Sequence, residues 1–228
     1  MEKEIINSKN KNLKFYLKSE IFPLSLIVLT IFISLFAYND LPEKVATHWN
    51  FAGEADAWSS KLFHSLFFPG IIISLYLLFV FLPKLDPRKD RYKEFFNVYL
   101  IFRNLIILLM FTIFSVATLA NLGYSVNITL ITSISIGLLM IVIGNYLGKI
   151  KRNWFVGIKT PWTLSSENSW NKTHRLGGKL FIIWGILIIL SPWLPLKNPM
   201  ITIILGLLPL IISITIYSYL VYKKELKK

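Results

Sequence analysis

The chain has 228 residues, no cysteine, 54% hydrophobic residues and a formal net charge of +13, with a mean hydropathy of +0.58. That hydropathy excludes an ordinary soluble domain with one apolar core and a polar shell. The missing cysteines exclude disulfides, thiol catalysis and cysteine metal sites.

Six apolar runs follow one another, at residues 21–38, 63–82, 98–120, 128–147, 179–194 and 200–222. Each approaches the roughly 20 residues a helix needs to cross a bilayer. Backbone groups in lipid must be satisfied within their own segment, which selects helices over strands. The expected fold is all-α, a polytopic membrane bundle of six transmembrane helices. Residues 1–20 would form a cytoplasmic basic tail, 21–222 the membrane domain and 223–228 a second tail. Within the membrane domain, 21–83 is an N-terminal hairpin with an outer loop, 98–194 holds an inner loop at 149–178, and 200–222 is the last helix.

Charge sets the expected orientation. Of 25 lysines and arginines, 21 fall in four segments. The N-terminal tail has Lys3, Lys9, Lys11, Lys14 and Lys18, and the second connection Lys84, Arg88, Lys89, Arg91 and Lys93. The fourth connection has Lys149, Lys151, Arg152, Lys159, Lys172, Arg175 and Lys179, and the C-terminal tail Lys223, Lys224, Lys227 and Lys228. The alternate connections hold only Lys44, Lys61 and Lys197. The positive-inside rule places both termini in the cytoplasm. The net charge then calls for no direct nucleic-acid partner, only the lipid bilayer and its anionic headgroups.

The lysine-rich first 20 residues read as a mobile or surface-lying tail. The first span lacks a small-x-small cleavage pattern at its end and is expected to be retained. The outer loop at 39–62 carries the turn formers Pro42, Asn50 and Gly53 and the interface-suited Trp49 and Trp58. Ser59 or Ser60 suits the cap of the second helix. His48, Glu54, Asp56 and His64 are conceivable metal ligands, but two histidines at this spacing match no zinc motif. No metal and no cofactor is expected.

Leu82 to Pro87 ends the second helix, because proline cannot continue it. Arg103 lies inside the third span, where no acid is available to pair with it, so snorkelling to the inner interface is the economical reading. Residues 121–127 form a tight outer turn. Gly144 with Gly148, and Thr202 with Gly206, stand at close-packing spacing, and Pro209 is expected to kink the last span. There is no internal repeat.

In the inner loop, Pro161 pushes Thr160 toward an extended conformation, so 157–162 should be a non-helical elbow. Ser165 or Ser166 then starts a helix with Glu167 in its first turn. Trp170 and His174 fall one turn apart on one face. Trp154, Trp162 and Trp170 describe either an interface-hugging anchor or a docking surface, and residue types do not separate the two. Residues 191–199 form a proline-rich outer turn.

Two segments carry a resemblance. Pro42, His48-Trp49-Asn50, Gly53, Asp56, Trp58 and Lys61 are similar to the short domain of unknown function that opens many SdpI-type membrane proteins. Gly144-Asn145, Asn153, Gly157-Ile-Lys-Thr-Pro-Trp-Thr-Leu164, Glu167, Trp170 and His174-Arg175 resemble the SdpI signature. Lys159 departs from the arginine usual in that family; it keeps the charge but loses the planar fork.

The resemblance implies a membrane immunity protein in a bacterial cell membrane, protecting against a secreted, membrane-active toxin peptide. It also implies a possible receptor role, holding a cytoplasmic transcriptional repressor at the membrane. Toxin contact then falls to Pro42, His48, Trp49, Asn50, Gly53, Asp56 and Trp58. The inner signature is Asn145, Asn153, Gly157, Lys159, Thr160, Pro161, Trp162, Glu167, Trp170, His174 and Arg175. The alternative is a small transporter or channel, which needs a polar path; the centres of the spans offer mainly Ser, Thr and Gly. No protease, hydrolase or phosphate-loop motif is present, so no enzyme is expected.

Overall fold

The computed structural model describes the backbone of residues 2–50, 52–194 and 199–227, with side chains for all of these except 2–17 and 199–205. The long helices are α1 (Glu2–Ala37), α2 (Lys61–Leu85), α3 (Tyr92–Asn121), α4 (Ile128–Leu147), α6 (Glu167–Leu190) and α7 (Pro199–Leu226). Between α4 and α6 lies a single-turn helix, α5 (Pro161–Ser165). Among the described residues, six helices are long and apolar enough to span a membrane, and the chain is a polytopic helical membrane protein. One departure from all-α is a hairpin of β1 (Lys44–Trp49) and β2 (Ala55–Ser60), antiparallel, between α1 and α2. Helix α1 begins at Glu2, so the basic segment ahead of the first apolar run is itself helical.

Short polar side chains set the helix starts. Ser60 Oγ accepts the Phe63 N–H at 3.2 Å, Asn127 Oδ1 the Leu130 N–H at 2.9 Å, and Ser166 Oγ the Ser169 N–H at 3.0 Å. Each satisfies one of the orphan donors at a helix N-terminus.

Prolines inside the spans explain how α1, α2 and α3 hold together. A helical proline leaves the carbonyl four residues earlier without its N–H partner, and in lipid that group must be satisfied by a neighbour. Pro69 frees the Ser65 carbonyl, and Ser34 Oγ on α1 donates to it at 2.6 Å. Pro83 frees the Phe79 carbonyl, and Tyr99 Oη on α3 donates to it at 2.5 Å. Pro23 frees the Ser19 carbonyl, and Arg103 Nη2 on α3 donates to it at 3.0 Å. Because Tyr99 compensates, Pro83 does not end α2; the helix runs on to Leu85 and stops at Asp86-Pro87.

Arg103 is not snorkelling. It is 3% exposed, and its Nη1 donates to both carboxylate oxygens of Glu20 at 2.9 Å. Tyr76 Oη also donates to Glu20, at 2.8 Å, and the guanidinium lies over the Tyr76 ring at 5.6 Å. The acid sits one residue before the apolar run, and the extended α1 carries it opposite Arg103.

Helices α4 and α6 meet through glycine. A methyl group on Gly144 would stand 2.5 Å from the Gly178 carbonyl oxygen, and one on Gly137 2.6 Å from that of Gly185. The backbones therefore touch at two points, in antiparallel sense. The pairing partner of Gly144 is Gly178 across the interface; Gly148 has only Arg175 nearby, at ordinary contact distance. Gly206 seats the Trp184 indole; the side chain of Thr202 and residues 195–198 lie outside the described residues.

Candidate functional site

The alternating Val45, Thr47 and Trp49 of β1 fit a strand with two unlike faces. Val45 is fully buried against Ala37 and Leu41. Ala46 is locked to α3 by a two-way amide contact, donating to Asn121 Oδ1 at 2.7 Å and accepting from Asn121 Nδ2 at 2.9 Å. Lys61 pairs with Glu43 at 2.9 Å and lies over the Tyr38 ring. The hairpin is thus fixed at its base to α1, α2 and α3.

Its tip is a self-contained turn. Asn50 Oδ1 accepts the N–H groups of Ala52 and Glu54 at 2.9 and 3.1 Å, and Gly53 takes φ +83°, a conformation glycine adopts without strain. Asn50 and Gly53 therefore shape the loop. On the outward face His48 Nδ1 and Asp56 Oδ1 stand 2.5 Å apart across the strands, both exposed. Trp58 is 58% exposed, while Trp49 turns inward, half-buried. Trp49 lines two cavities of about 250 Å³, one with Ile136, Trp184 and Ile188, the other with Phe68, Ile113 and Ala117. Pro42 is exposed at the approach to β1.

His64 is remote from this face. It is buried between Phe68 and Phe114, with Nε2 3.0 Å from Thr118 Oγ1. Thr118 Oγ1 donates to its own helix, so the histidine N–H is the donor. No group of three or more potential ligands among His, Asp and Glu occurs within the described residues.

The other end of the bundle carries the elbow. Asn153 is buried and closes a tight turn. Its Oδ1 accepts from Phe155 and Val156 N–H, and its Nδ2 donates to Lys151 and Val156 carbonyls, all within 2.7–2.9 Å. Trp170, on α6, is 0% exposed and donates its indole N–H to the Ile150 carbonyl at 2.8 Å. It is a core residue, which corrects the expectation of an interface anchor.

His174 stacks on Trp170 at 4.1 Å. Its Nε2 accepts the Ile158 N–H at 2.9 Å, so the proton is on Nδ1, which donates to the Trp170 carbonyl at 2.8 Å. Gly157 makes this approach possible. Its φ is +118°, and a methyl group there would stand 2.5 Å from His174 Nε2. The elbow ends earlier than expected, at Thr160, because Pro161 occupies the first position of α5, where its missing N–H costs nothing. Thr160 and Thr163 form a reciprocal cap on that turn.

Three carboxylates tie the elbow to its surroundings. Asp86, almost fully buried, accepts from the Trp154 and Arg88 N–H groups and from Tyr92 Oη at 3.0, 2.7 and 3.2 Å. Glu167 pairs with Arg91 at 2.7 Å and Arg152 at 3.4 Å. Glu225 of α7 accepts from Ser166 Oγ at 2.5 Å. Thr160 Oγ1 donates to Ser218 Oγ, and Ser169 Oγ to the Ser218 carbonyl, at 3.0 and 2.9 Å.

The eleven signature residues thus divide by burial. Asn153, Gly157, Thr160, Glu167, Trp170 and His174 build the elbow, while Asn145, Lys159, Pro161 and Arg175 are exposed. Trp162 is half-buried against Tyr219. The residues that sequence patterns overlooked are Asp86, Asn121, Ser218, Glu225 and the Glu20–Arg103 pair. The signal for Asp86 and Glu20 was their position, isolated acids at the edge of an apolar run.

Residues 149–218 match the SdpI/YfhL protein family, and residues 25–73 match a domain of unknown function, DUF1648. The chain is 32% identical over 209 residues to Immunity protein SdpI of Bacillus subtilis (strain 168), covering 91% of this chain and 98% of that protein. No solved structure matches. The hairpin falls inside the first matched stretch and the elbow inside the second.

Proposed function

Because the chain belongs to the SdpI/YfhL family, we propose that it is an immunity protein of the bacterial cell membrane that protects the cell from a secreted, membrane-active toxin peptide. The hairpin faces outward and meets the toxin; the elbow and both termini face the cytoplasm. The observation that carries this reading is a rigid two-stranded platform at one end of the bundle. It presents Trp58, His48 and Asp56 to solvent while Trp49 closes two cavities beneath it. An exposed indole beside a polar histidine–aspartate contact suits an amphipathic peptide lying at the membrane surface. Recognition there is binding; no reaction step is involved.

Transport gains no support from the placement of hydroxyls. Thr30, Ser74, Thr112, Ser115, Thr118 and Ser135 each donate to the carbonyl four residues earlier in their own helix. On the cytoplasmic side, Lys159 and Arg175 are exposed next to the buried latch of Trp170 and His174, and they form the surface that would hold a repressor.

Expression in toxin-sensitive cells tests the first role. Membrane-inserted protein is expected to raise survival, and equal killing with and without it would contradict the proposal. Substituting Lys159 and Arg175 by alanine is expected to abolish repressor recruitment with survival intact; loss of both together would merge the roles.

A further inference from the structure

At the elbow end, the first turns of α3 and the segment just after α4 fail to close on each other. The opening is a cavity of about 470 Å³ whose lining includes Lys93, Lys149 and Lys151, the carboxylate of Glu94 and the apolar Phe96. The backbone of α3 explains the gap. Phe95 has φ −135° and ψ 22°, outside the helical region, so the chain shifts course there. We propose that this cleft binds the headgroup of an anionic phospholipid. This goes beyond immunity and does not depend on it.

Three features of the cleft fit that occupant. First, its height is right, since it lies where the Lys89–Asn121 span begins and just beyond the end of the Ile128–Leu147 span, the level at which lipid phosphates sit. Second, its charge is complementary. Three ammonium groups face one carboxylate, and Glu94 is engaged by Arg91 at 3.0 Å and Lys151 at 3.7 Å. Lys93 pairs with Asp90 at 3.1 Å, but both are more than four-fifths exposed, so the pair is solvated and readily exchanged for a phosphate. Third, the wall is amphipathic. Lys149 lies over the Tyr146 ring at 4.6 Å, and the partly exposed Phe96, backed by the buried Phe95 and Val98, supplies an apolar floor for the upper acyl chain.

The test uses the full chain purified in a neutral detergent, with lipid retention read by native mass spectrometry and protection read by thermal unfolding. Phosphatidylglycerol is expected to bind and raise the melting temperature; phosphatidylethanolamine and free glycerol 3-phosphate are not. The Lys93→Gln/Lys149→Gln/Lys151→Gln variant is expected to lose about 100-fold in phosphatidylglycerol affinity, roughly fivefold per lysine. Lys223→Gln/Lys224→Gln/Lys227→Gln, which removes the same net charge elsewhere, keeps it. The arginine version of the cleft triple is expected to bind normally, and Lys149→Gln alone gives the reading if the glutamine triple does not fold. Equal retention by both glutamine triples would overturn the proposal. So would equal protection by phosphatidylethanolamine, or protection by glycerol 3-phosphate matching that of the lipid.

Discussion

Removing both sides of the Glu20–Arg103 pair is expected to destabilise the bundle by less than the two single losses added together. Arg103 is 3% exposed and Glu20 27% exposed on their side chains. Breaking a fully buried pair by deleting one partner costs about 3–5 kcal/mol. Partial exposure of Glu20 screens the attraction, which brings the electrostatic share to roughly 2–3 kcal/mol. Arg103→Met also removes the Nη2 hydrogen bond to the Ser19 carbonyl, adding about 1 kcal/mol. The single Arg103→Met variant should therefore lose about 3–4 kcal/mol, and Glu20→Gln, which keeps an acceptor for Tyr76, about 2 kcal/mol. The double variant leaves no uncompensated charge and should fall short of the summed loss by about 1.5–2 kcal/mol. Unfolding in mixed micelles with an ionic detergent measures all four corners of the cycle. Additivity within about 0.5 kcal/mol would refute a direct buried pair.

Ser34→Ala orphans the carbonyl that Pro69 frees and should cost about 1–2 kcal/mol; Ser34→Ala/Pro69→Ala, which restores the helical N–H, should recover most of it in the same unfolding assay. Gly157→Ala forces a strained backbone and drives a methyl group into His174, at about 2–4 kcal/mol. Gly123→Ala, at φ +87° with no atom within 4 Å, should cost only about 1 kcal/mol, and equal costs would sink the packing argument. Asn121→Ala removes both bonds to Ala46 and should make the hairpin protease-sensitive while leaving the helices resistant, as peptide mapping of limited digests would report.

Much of the fold could be read from the chain because lipid imposes one strong rule, that apolar runs of sufficient length become helices. The 128–147 run coincides with α4, Ser60 and Ser166 take the capping positions their chemistry suggests, and Glu167 takes the first turn of α6. The hairpin was harder to see. Lys44–Trp49 alternates and carries β-branched residues, but six residues is too short a pattern to stand against a loop so rich in turn formers.

The snorkelling expected of Arg103 does not occur because its partner, Glu20, lies just outside the apolar run of α1 and so leaves no acid within the spans themselves. Trp170 shows the opposite limit. Tryptophan beside lysine suits a membrane interface, yet here the indole is enclosed by a latch whose parts, Ile150, Gly157 and His174, are scattered along the chain. In the site, Asp56 and Trp58 share a face by their two-residue step along β2, whereas His48 joins them across a register shift that pairs it with Ala57. Nothing in their spacing said that Asn121, 75 residues from Ala46, would fix the platform.

For the hairpin to meet a secreted toxin and the elbow a cytoplasmic repressor, the two must lie on opposite sides of the membrane. The absence of native cysteine makes this directly measurable with the single variants Trp58→Cys and Lys159→Cys and an impermeant maleimide. Trp58→Cys should label on intact cells and Lys159→Cys only after the membrane is opened. Labelling of both from the same side would contradict it.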